Sequence, residues 1–337
     1  MDRFEHPRTH NADLLSRRIS QLGLKLEGSP VERFVRQLYR ELERKGLARF
    51  RPVCYLTDEW GCPSGEPVIG IPFYLADPEL ADLEKAMNDL EDEREIMRYL
   101  RHEAGHAFNY AYQLYKTPEW RRLFGPWNRP YRDHYRPIPF SRKFVRHLAG
   151  WYGQKHPDED FAETFAVWLT PRSNWREKYA NWPAIHKLKY VDLVAKKVRN
   201  TDPPMPSGDF DITVSDMKLT VEQFYRRVMR QNERAPKLVL DSELKEIFLP
   251  KNRLRKNKRA AADLITENRL ALIDNISDWT GVRRPLIKTL VEAMADASRR
   301  LELEADPRRA AEYLIEMTAF GTTLAMNYMN RGRFEIR

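Results

Sequence analysis

The sequence is short of cysteine and of long apolar runs. Its two cysteines, Cys54 and Cys62, are too few for a disulfide framework or a four-cysteine zinc site, so two free thiols are the simplest interpretation. No apolar stretch approaches the roughly 20 residues that a membrane-spanning helix needs. The first six residues also lack the apolar run of a secretory signal. These absences predict a soluble protein that stays in the cytoplasm and has no membrane partner.

Charge is abundant and unevenly distributed. Charged residues make up 32% of the chain, and the formal net charge is +9. The sharpest local feature is the segment 251–259, in which six of nine residues are basic. Such a run is compatible with a contact to a polyanion, but solvated loops and helix ends commonly carry similar runs. A nucleic-acid partner is therefore compatible with the sequence but not favoured.

The hydrophobic pattern of the first 200 residues mixes two periodicities. Short stretches of β-forming residues at 48–56 and 68–75, bounded by turn residues, predict two strands. Helical spacing of apolar residues then predicts helices at 92–115, 142–150 and 157–169. This part of the chain should therefore combine a small sheet with several helices.

A proline-containing segment divides the chain. Residues 201–212 include three prolines and have the composition of a linker. Beyond it, the pattern is almost wholly helical, and Thr220 with Gln223 has the spacing of a capping box. We therefore predict an α+β fold, mostly α, with one domain over residues 1–200 and a helical domain over residues 213–337.

A His-Glu-x-x-His motif lies in the middle of the predicted helix 92–115. Residues four apart share a helical face, so His102 and His106 can direct imidazole nitrogens at one metal ion. Glu103 can reach a water held by that metal without ligating the metal itself. Zinc lowers the pKa of such a water toward about 7, and a carboxylate can then accept its proton. The motif favours a zinc site for hydrolysis over the alternative of an amphipathic helix with two incidental histidines. Gly105 is small enough to let another segment pack closely against the helix.

Catalytic zinc normally takes three protein ligands, so a third ligand is expected downstream. The strongest candidates are Glu159 and Glu163, which are also four residues apart and face the same side of the next predicted helix. One of them could bind the metal while the other accepts a hydrogen bond from a ligating imidazole and fixes its tautomer. Asp160 and His156 are lesser candidates.

Other residues near these motifs have weaker signals. His134 and His147 have no ligand-like spacing and are interpreted as surface or loop residues. Residues 117–141 are rich in proline, tryptophan, tyrosine and arginine, and are too long for a simple connector. They are expected to border a cleft, where packing and solvated charge are favoured over a specificity pocket.

HExxH followed by ExxxE resembles the glutamate-type zincins, or gluzincins. In that group the first carboxylate of the second motif ligates zinc, and the carboxylate four residues later supports a histidine. The resemblance therefore implies that Glu159 is the third ligand and that Glu163 supports a ligand. The converse, with Glu163 as the ligand and Glu159 as a solvated acid in the first helical turn, stays open. The spacing from His106 to Glu159 is longer than in thermolysin-like members.

The second motif is more similar to that of lethal-factor-type catalytic domains, in which Tyr-Gly precedes the ligand glutamate by seven residues. This sequence has Tyr152-Gly153 before Glu159 and the run Phe-Ala-Glu-Thr-Phe at 161–165. The resemblance implies that Tyr152 stabilises an oxyanion or protonates a leaving amine. The alternative is that Tyr152 is simply a packed aromatic side chain beside Trp151.

Two blocks also resemble bacterial zinc-binding metallopeptidases, namely HPDEDFAETFAVWL at 156–169 and NWPAIHKLKYVD at 181–192. The similarity covers residues 30–195 and is strong only in these blocks. It implies a zincin-like catalytic domain, bound zinc and a peptide or protein substrate. In zincins an edge strand binds an extended peptide by strand addition, and the stretch 68–75 is the candidate for that edge.

Two other functional classes stay open. One is a nucleic-acid-associated protein with a regulatory zinc site, in which the segment 251–259 binds the polyanion. The other is a scaffold with a zinc site but no turnover. The sequence indicates neither the oligomeric state nor the role of the C-terminal helical region.

Overall fold

The computed structural model describes residues 10–87, 90–131, 135, 137–232, 240–251, 258–282, 284–331 and 334. The chain divides into two compact units, Met1–Gln231 and Asn232–Arg337. Helices predominate, and the few strands form small sheets, which confirms the predicted α+β, mostly α, fold class. The zincin-like character of the first domain stays a prediction.

The first unit surrounds a large apolar core to which both strands and several helices contribute. Its elements, in chain order, are α1 (His10–Ser16), α2 (Glu32–Arg44), β1 (Val53–Thr57), β2 (Val68–Pro72), α3 (Pro78–Met87), α4 (Glu93–Ala111), α5 (Pro118–Phe124), α6 (Pro157–Leu169), α7 (Trp175–Lys178), α8 (Ile185–Lys197) and α9 (Val221–Asn232).

Helix α4 begins at a capping box. The Asp92 side chain accepts a hydrogen bond from the backbone N–H of Glu95, and the Glu95 side chain accepts one from the backbone N–H of Asp92. The helix ends at Ala111, before the predicted residue 115, because Gln113 adopts a left-handed conformation with φ of 51°. Its second half is buried on almost every side, so the HExxH residues lie inside the unit rather than on its surface.

Helix α6 begins and ends where the sequence predicts. Pro157 occupies its first turn, where no backbone N–H is needed, and the His156 side chain caps it by accepting a hydrogen bond from the backbone N–H of Asp158 at 3.1 Å. Every residue of α6 is buried, so its carboxylates face protein on all sides.

The two helices α4 and α6 pack at close range through Gly105. A methyl group on this glycine would lie 2.7 Å from Cα and 2.8 Å from the carbonyl oxygen of Ala162. The absence of a side chain therefore allows the backbones to approach, and this approach positions the carboxylates of α6 beside the histidines of α4.

Substituting Gly105→Ala is expected to force the two helices apart. Overpacking of this kind costs about 1–3 kcal/mol of unfolding free energy, and zinc affinity should fall as well because the donor atoms separate. Chemical denaturation and a competitive zinc titration measure the two effects. Ala107→Gly on the same helix is the comparison, since it should destabilise the helix without changing the α4–α6 distance. Unchanged zinc affinity in Gly105→Ala would contradict the role of close approach.

Strands β1 and β2 pair in parallel, with Tyr55 opposite Gly70. The predicted strand 68–75 ends at Pro72, where the chain turns into a 3-10 helix over Phe73–Ala76. On the side of β2 away from β1, Gly70 exchanges both backbone hydrogen bonds with Gly61, the N–H of Val68 donates to Glu66, and Pro72 has no N–H. The prediction that β2 is a free edge for strand addition is therefore wrong.

The predicted helix 142–150 is absent. The segment is irregular in structure, and the backbone N–H groups of His147 and Leu148 donate to the side chain of Glu163 instead of to helical carbonyls. A buried carboxylate that accepts these bonds competes with the helical pattern and determines the local conformation.

The predicted linker 201–212 hydrogen-bonds within the first unit. The N–H of Met205 donates to the carbonyl of Ala111, and slightly further on the N–H of Val214 donates to Leu56 on the outer side of β1. The boundary between the two compact units falls at residues 231 and 232 instead. Further along, Thr220 and Gln223 exchange the hydrogen bonds of the predicted capping box at the start of α9.

The second unit has its own apolar core. Its elements are α10 (Asp241–Ile247), β3 (Leu249–Pro250), β4 (Arg259–Ala260), α11 (Ala261–Glu267), α12 (Arg269–Thr280), α13 (Arg284–Arg300), β5 (Leu303–Ala305) and α14 (Ala310–Arg331). Strand β5 pairs antiparallel with β3 on one side and β4 on the other.

Most of the predicted basic run 251–259 lies outside the described residues, since 252–257 are not described. Of the flanking residues, Lys251 pairs with Glu302 at 2.8 Å and Lys258 pairs with Asp306 at 2.5 Å. None of the helices in the described part of the chain combines the length and the apolar character needed to cross a bilayer.

Candidate metal centre

The two motif histidines face one carboxylate. Nε2 of His102 lies 3.2 Å from Nε2 of His106. Oε2 of Glu159 lies 3.0 Å from the first of these nitrogens and 3.1 Å from the second. The structure thus brings three potential ligand atoms from α4 and α6 to one point, and all three residues are buried.

Glu163 holds the other side of the first imidazole. Its Oε1 lies 2.9 Å from Nδ1 of His102, and Oε2 accepts hydrogen bonds from the N–H groups of His147 at 3.1 Å and Leu148 at 3.0 Å. The carboxylate is fully buried and bonded on both sides. An Nδ1–H that donates to Glu163 leaves Nε2 of His102 with its lone pair, which is the form that binds a metal.

Asp158 has the corresponding position at the second imidazole. Its Oδ2 lies 3.1 Å from Nδ1 of His106, although the angle departs from that of a hydrogen bond and the contact is better described as electrostatic. The carboxylate also accepts hydrogen bonds from Asn109 at 2.8 Å and from the hydroxyl of Tyr110. Sequence reasoning missed this residue. Its only signal is its place immediately before Glu159 in an acidic first turn.

The charges of the site favour a cation at its centre. Burial alone would lower the pKa of His102, but hydrogen bonds with Glu159 and Glu163 outweigh burial and raise the pKa to about 9. For Glu159 burial acts to raise the pKa, but the charge of His106 and the hydrogen bonds from both histidines lower it below its ordinary value. A positive charge between these groups is thus stabilised, and a divalent metal ion supplies one.

The donor set fits zinc. With bonds of about 2.0–2.1 Å and tetrahedral angles, zinc ligand atoms lie about 3.3 Å apart. The three donor atoms here are separated by 3.0–3.2 Å. Two histidines and a glutamate are also a ligand set that catalytic zinc uses, with the fourth position left open.

Glu103 is buried beside this group. Burial raises the pKa of its carboxyl, the nearby His102 and His106 act to lower it, and the charges of Glu159 and Asp158 raise it further. A carboxylate with a raised pKa is a stronger base than an ordinary glutamate, as proton acceptance near neutral pH requires.

Tyr152 lies against the first histidine. It begins a 3-10 helix after Trp151, which has a φ of 48°, and its ring centre is 5.5 Å from that of His102. Burial raises the pKa of its hydroxyl, and the charges of Glu159 and Glu103 raise it further. The phenol therefore keeps its proton at neutral pH and can donate it in a hydrogen bond.

Tyr131 also contributes to this region. Its ring stacks on His156 with centres 3.9 Å apart, and its hydroxyl lies 3.4 Å from Oδ2 of Asp158. The residue belongs to the segment 117–141, which the sequence assigned to a cleft border without selecting individual side chains. No spacing to the HExxH motif identifies it, because the contact depends on tertiary structure.

The remaining candidates have structural contacts. His156 caps α6, and Asp160 pairs with Lys187 at 2.5 Å. His147 lies in a loop, one of the two predicted locations, and it is buried with Nε2 3.0 Å from the carbonyl of Arg98. Burial lowers its pKa to about 4. His134 lies outside the described residues.

Comparison with known proteins bears on the segment that contains this centre. No curated protein and no solved structure matches the chain. A family model does match, over residues 66–195, a range that includes both motif histidines and both glutamates of α6. Over that range, which is less than half of the chain, the sequence is similar to the family described as "Putative zinc-binding metallo-peptidase".

Proposed function

We propose that this protein is a zinc-dependent peptidase that hydrolyses peptide bonds in peptide or protein substrates. The observation that supports the proposal most is the buried convergence of His102, His106 and Glu159, with Glu103 beside them. This group lies within the segment that matches the metallopeptidase family.

The two histidines and Glu159 would hold the metal. Zinc bound there supplies a Lewis acid that polarises a carbonyl and lowers the pKa of water. Glu163 and Asp158 keep the two imidazoles oriented, since each faces an Nδ1 atom. This leaves both Nε2 atoms directed at the shared point.

Glu103 transfers the proton in the proposed reaction. Its carboxylate accepts a proton from the attacking water and then delivers it to the leaving amine. The hydroxyl of Tyr152 donates a hydrogen bond to the substrate oxygen on which negative charge develops. Because its pKa is raised, this hydroxyl remains protonated over the whole neutral range.

The segment Trp60–Cys62 is the proposed edge for an extended substrate. Gly61 exchanges both of its backbone hydrogen bonds with Gly70 of β2, so strand alternation directs the N–H and C=O groups of Trp60 and Cys62 to the opposite side. Burial and the charge of Glu103 raise the pKa of the Cys62 thiol, which supports an edge near the proposed base. A peptide added there would run past the metal centre.

Removal of the metal is expected to abolish peptide cleavage. Incubating the protein with a strong zinc chelator and then separating the two should leave no turnover of a mixed peptide library, scored by mass spectrometry. Restoring one equivalent of zinc should recover cleavage, whereas magnesium should not, because magnesium prefers six oxygen ligands. Cleavage at full rate by metal-free protein would refute the proposal.

A further inference from the structure

Lys155 places a positive charge at the metal centre. Its Nζ lies 3.4 Å from the hydroxyl oxygen of Tyr152. The same ammonium lies over two aromatic rings, 5.1 Å from the centre of the Tyr152 ring and 5.6 Å from that of Tyr131. The side chain is half-buried. Contacts with two ring faces hold the ammonium in one place.

This ammonium has no carboxylate partner among the described residues. None of their acidic groups has an oxygen within 4.0 Å of its Nζ. Glu59 is close enough for Lys155 to lower its pKa, although burial raises that pKa overall, but the two do not form an ion pair. Of the other half-buried lysines in the described ranges, Lys187 pairs with Asp160 and Lys258 with Asp306, whereas Lys45 lies over the ring of Trp168. The ammonium is thus held in position while its capacity for a strong partner is unused.

The ammonium is also close to the reacting atoms. The Tyr152 ring, over which the ammonium lies, has its centre 5.5 Å from that of the His102 ring. Burial and the charges of Glu159 and Glu103 raise the pKa of the Tyr152 hydroxyl. Successive residues of an extended peptide are spaced by about 3.3–3.6 Å. A peptide whose scissile carbonyl lies at the metal would therefore bring the next one or two residues within reach of Lys155.

We propose that Lys155 is a specificity residue that binds a carboxylate of the substrate close to the scissile bond. The inference rests on the proposed peptidase function. The carboxylate could belong to an aspartate or glutamate side chain or to the C-terminus of the peptide, since both offer the same charged oxygens. An ammonium that is already ordered loses little freedom when it pairs, so the pairing adds to selectivity.

A purely structural role makes a different prediction. If Lys155 only held the two tyrosines in place, its loss would weaken acidic and neutral ligands by the same factor. A specificity residue instead changes the ratio between them, and reversing its charge should reverse that ratio.

The experiment uses zinc-loaded full-length protein and two matched pairs of peptide hydroxamates, which bind zinc without being cleaved. One pair differs by a C-terminal carboxylate or carboxamide, and the other by a glutamate or glutamine side chain. Dissociation constants are measured for wild type, Lys155→Met, Lys155→Arg, Lys155→Glu and the exposed-site control Lys189→Met. Zinc content is measured for each variant, and cleavage of a peptide library is followed in parallel.

Wild type and the control should bind the carboxylate member of one pair about tenfold more tightly, which is the effect of about 1.4 kcal/mol. The pair that discriminates identifies the source of the carboxylate. Lys155→Arg should keep the preference, Lys155→Met should lose it, and Lys155→Glu should invert it. Equal affinities within each pair in wild type, or a preference that survives Lys155→Glu, would overturn the inference.

The two proposals fail separately. Discrimination between hydroxamates without cleavage of any library member would refute peptidase activity and leave the carboxylate site standing. Cleavage without acidic preference would refute the carboxylate site and leave the peptidase. Zinc-loaded protein that binds none of the hydroxamates and cleaves no library member would overturn both.

Discussion

Replacing Glu103 with glutamine is expected to reduce peptide hydrolysis by about 10²–10⁴-fold, the usual contribution of a positioned general base. The amide has the same size as the carboxylate but cannot accept the proton of the attacking water. Zinc binding should be nearly unchanged, because the three donor atoms belong to other side chains. Initial rates on a peptide that wild type cleaves, together with zinc content by atomic absorption, measure both quantities.

The matched control for this experiment is Glu93→Gln on the same helix. Glu93 is the exposed first residue of α4 and pairs with Arg33 of α2. It lies at the end of α4 that is remote from the motif. Its loss should cost at most about 1 kcal/mol of stability and should leave the rate unchanged. If Glu103→Gln retains both zinc and the wild-type rate, Glu103 is not the base. If wild type and variant both bind zinc and neither cleaves any peptide, a scaffold becomes the better description.

The candidate metal centre was largely predictable because its residues follow helical spacing. An interval of four residues places two side chains on one face, so the motif in α4 and the glutamates of α6 could each be recognised within a single element. The start of α6 was predictable for a related reason, since Pro157 is a local start signal that lies in the first turn of the helix.

Residues that act through tertiary contacts were not predictable in this way. Asp158 differs from its acidic neighbours only in which direction it points around α6, and that direction matters because Tyr110 and Asn109 of α4 bind it. Tyr131 reaches the centre from a segment without periodicity. The sheet edge was misassigned because the strand pattern of 68–75 does not reveal that Gly61 returns to pair with it.

The same reasoning explains the missing helix at 142–150. Its apolar spacing favours a helix, but two of its N–H groups donate to Glu163, and that carboxylate is itself required next to His102. Without these two donors, the Oε2 atom of Glu163 would be buried without a hydrogen bond, which costs about 1–3 kcal/mol. The hydrogen bonds to Glu163 thus favour an irregular backbone at 142–150, although the apolar spacing of the segment favours a helix.

Exchanging the two glutamates of α6 for glutamine should separate metal binding from folding. Glu159→Gln replaces a charged oxygen that faces both imidazoles, so zinc affinity should fall more than the 10–100-fold that loss of an orienting partner typically costs. Glu163→Gln places an amide NH₂ where only donors surround the carboxylate, since His102, His147 and Leu148 all donate to it. That variant should lose about 1–3 kcal/mol of unfolding free energy in metal-free protein, because the NH₂ group replaces one of the two accepting oxygens and faces at least one buried donor.

The two variants should therefore rank in opposite order on two measurements. In a competitive zinc titration, Glu159→Gln should have the lower zinc affinity of the two variants. In urea denaturation without zinc, Glu163→Gln should have the lower unfolding free energy. Glu177→Gln, on the exposed side of α7, should match wild type in both. A reversed order in the zinc titration would make Glu163 the ligand and Glu159 its support. Because Glu163 already uses both oxygens to accept hydrogen bonds while Glu159 directs one oxygen at both Nε2 atoms, the contacts favour Glu159 as the ligand.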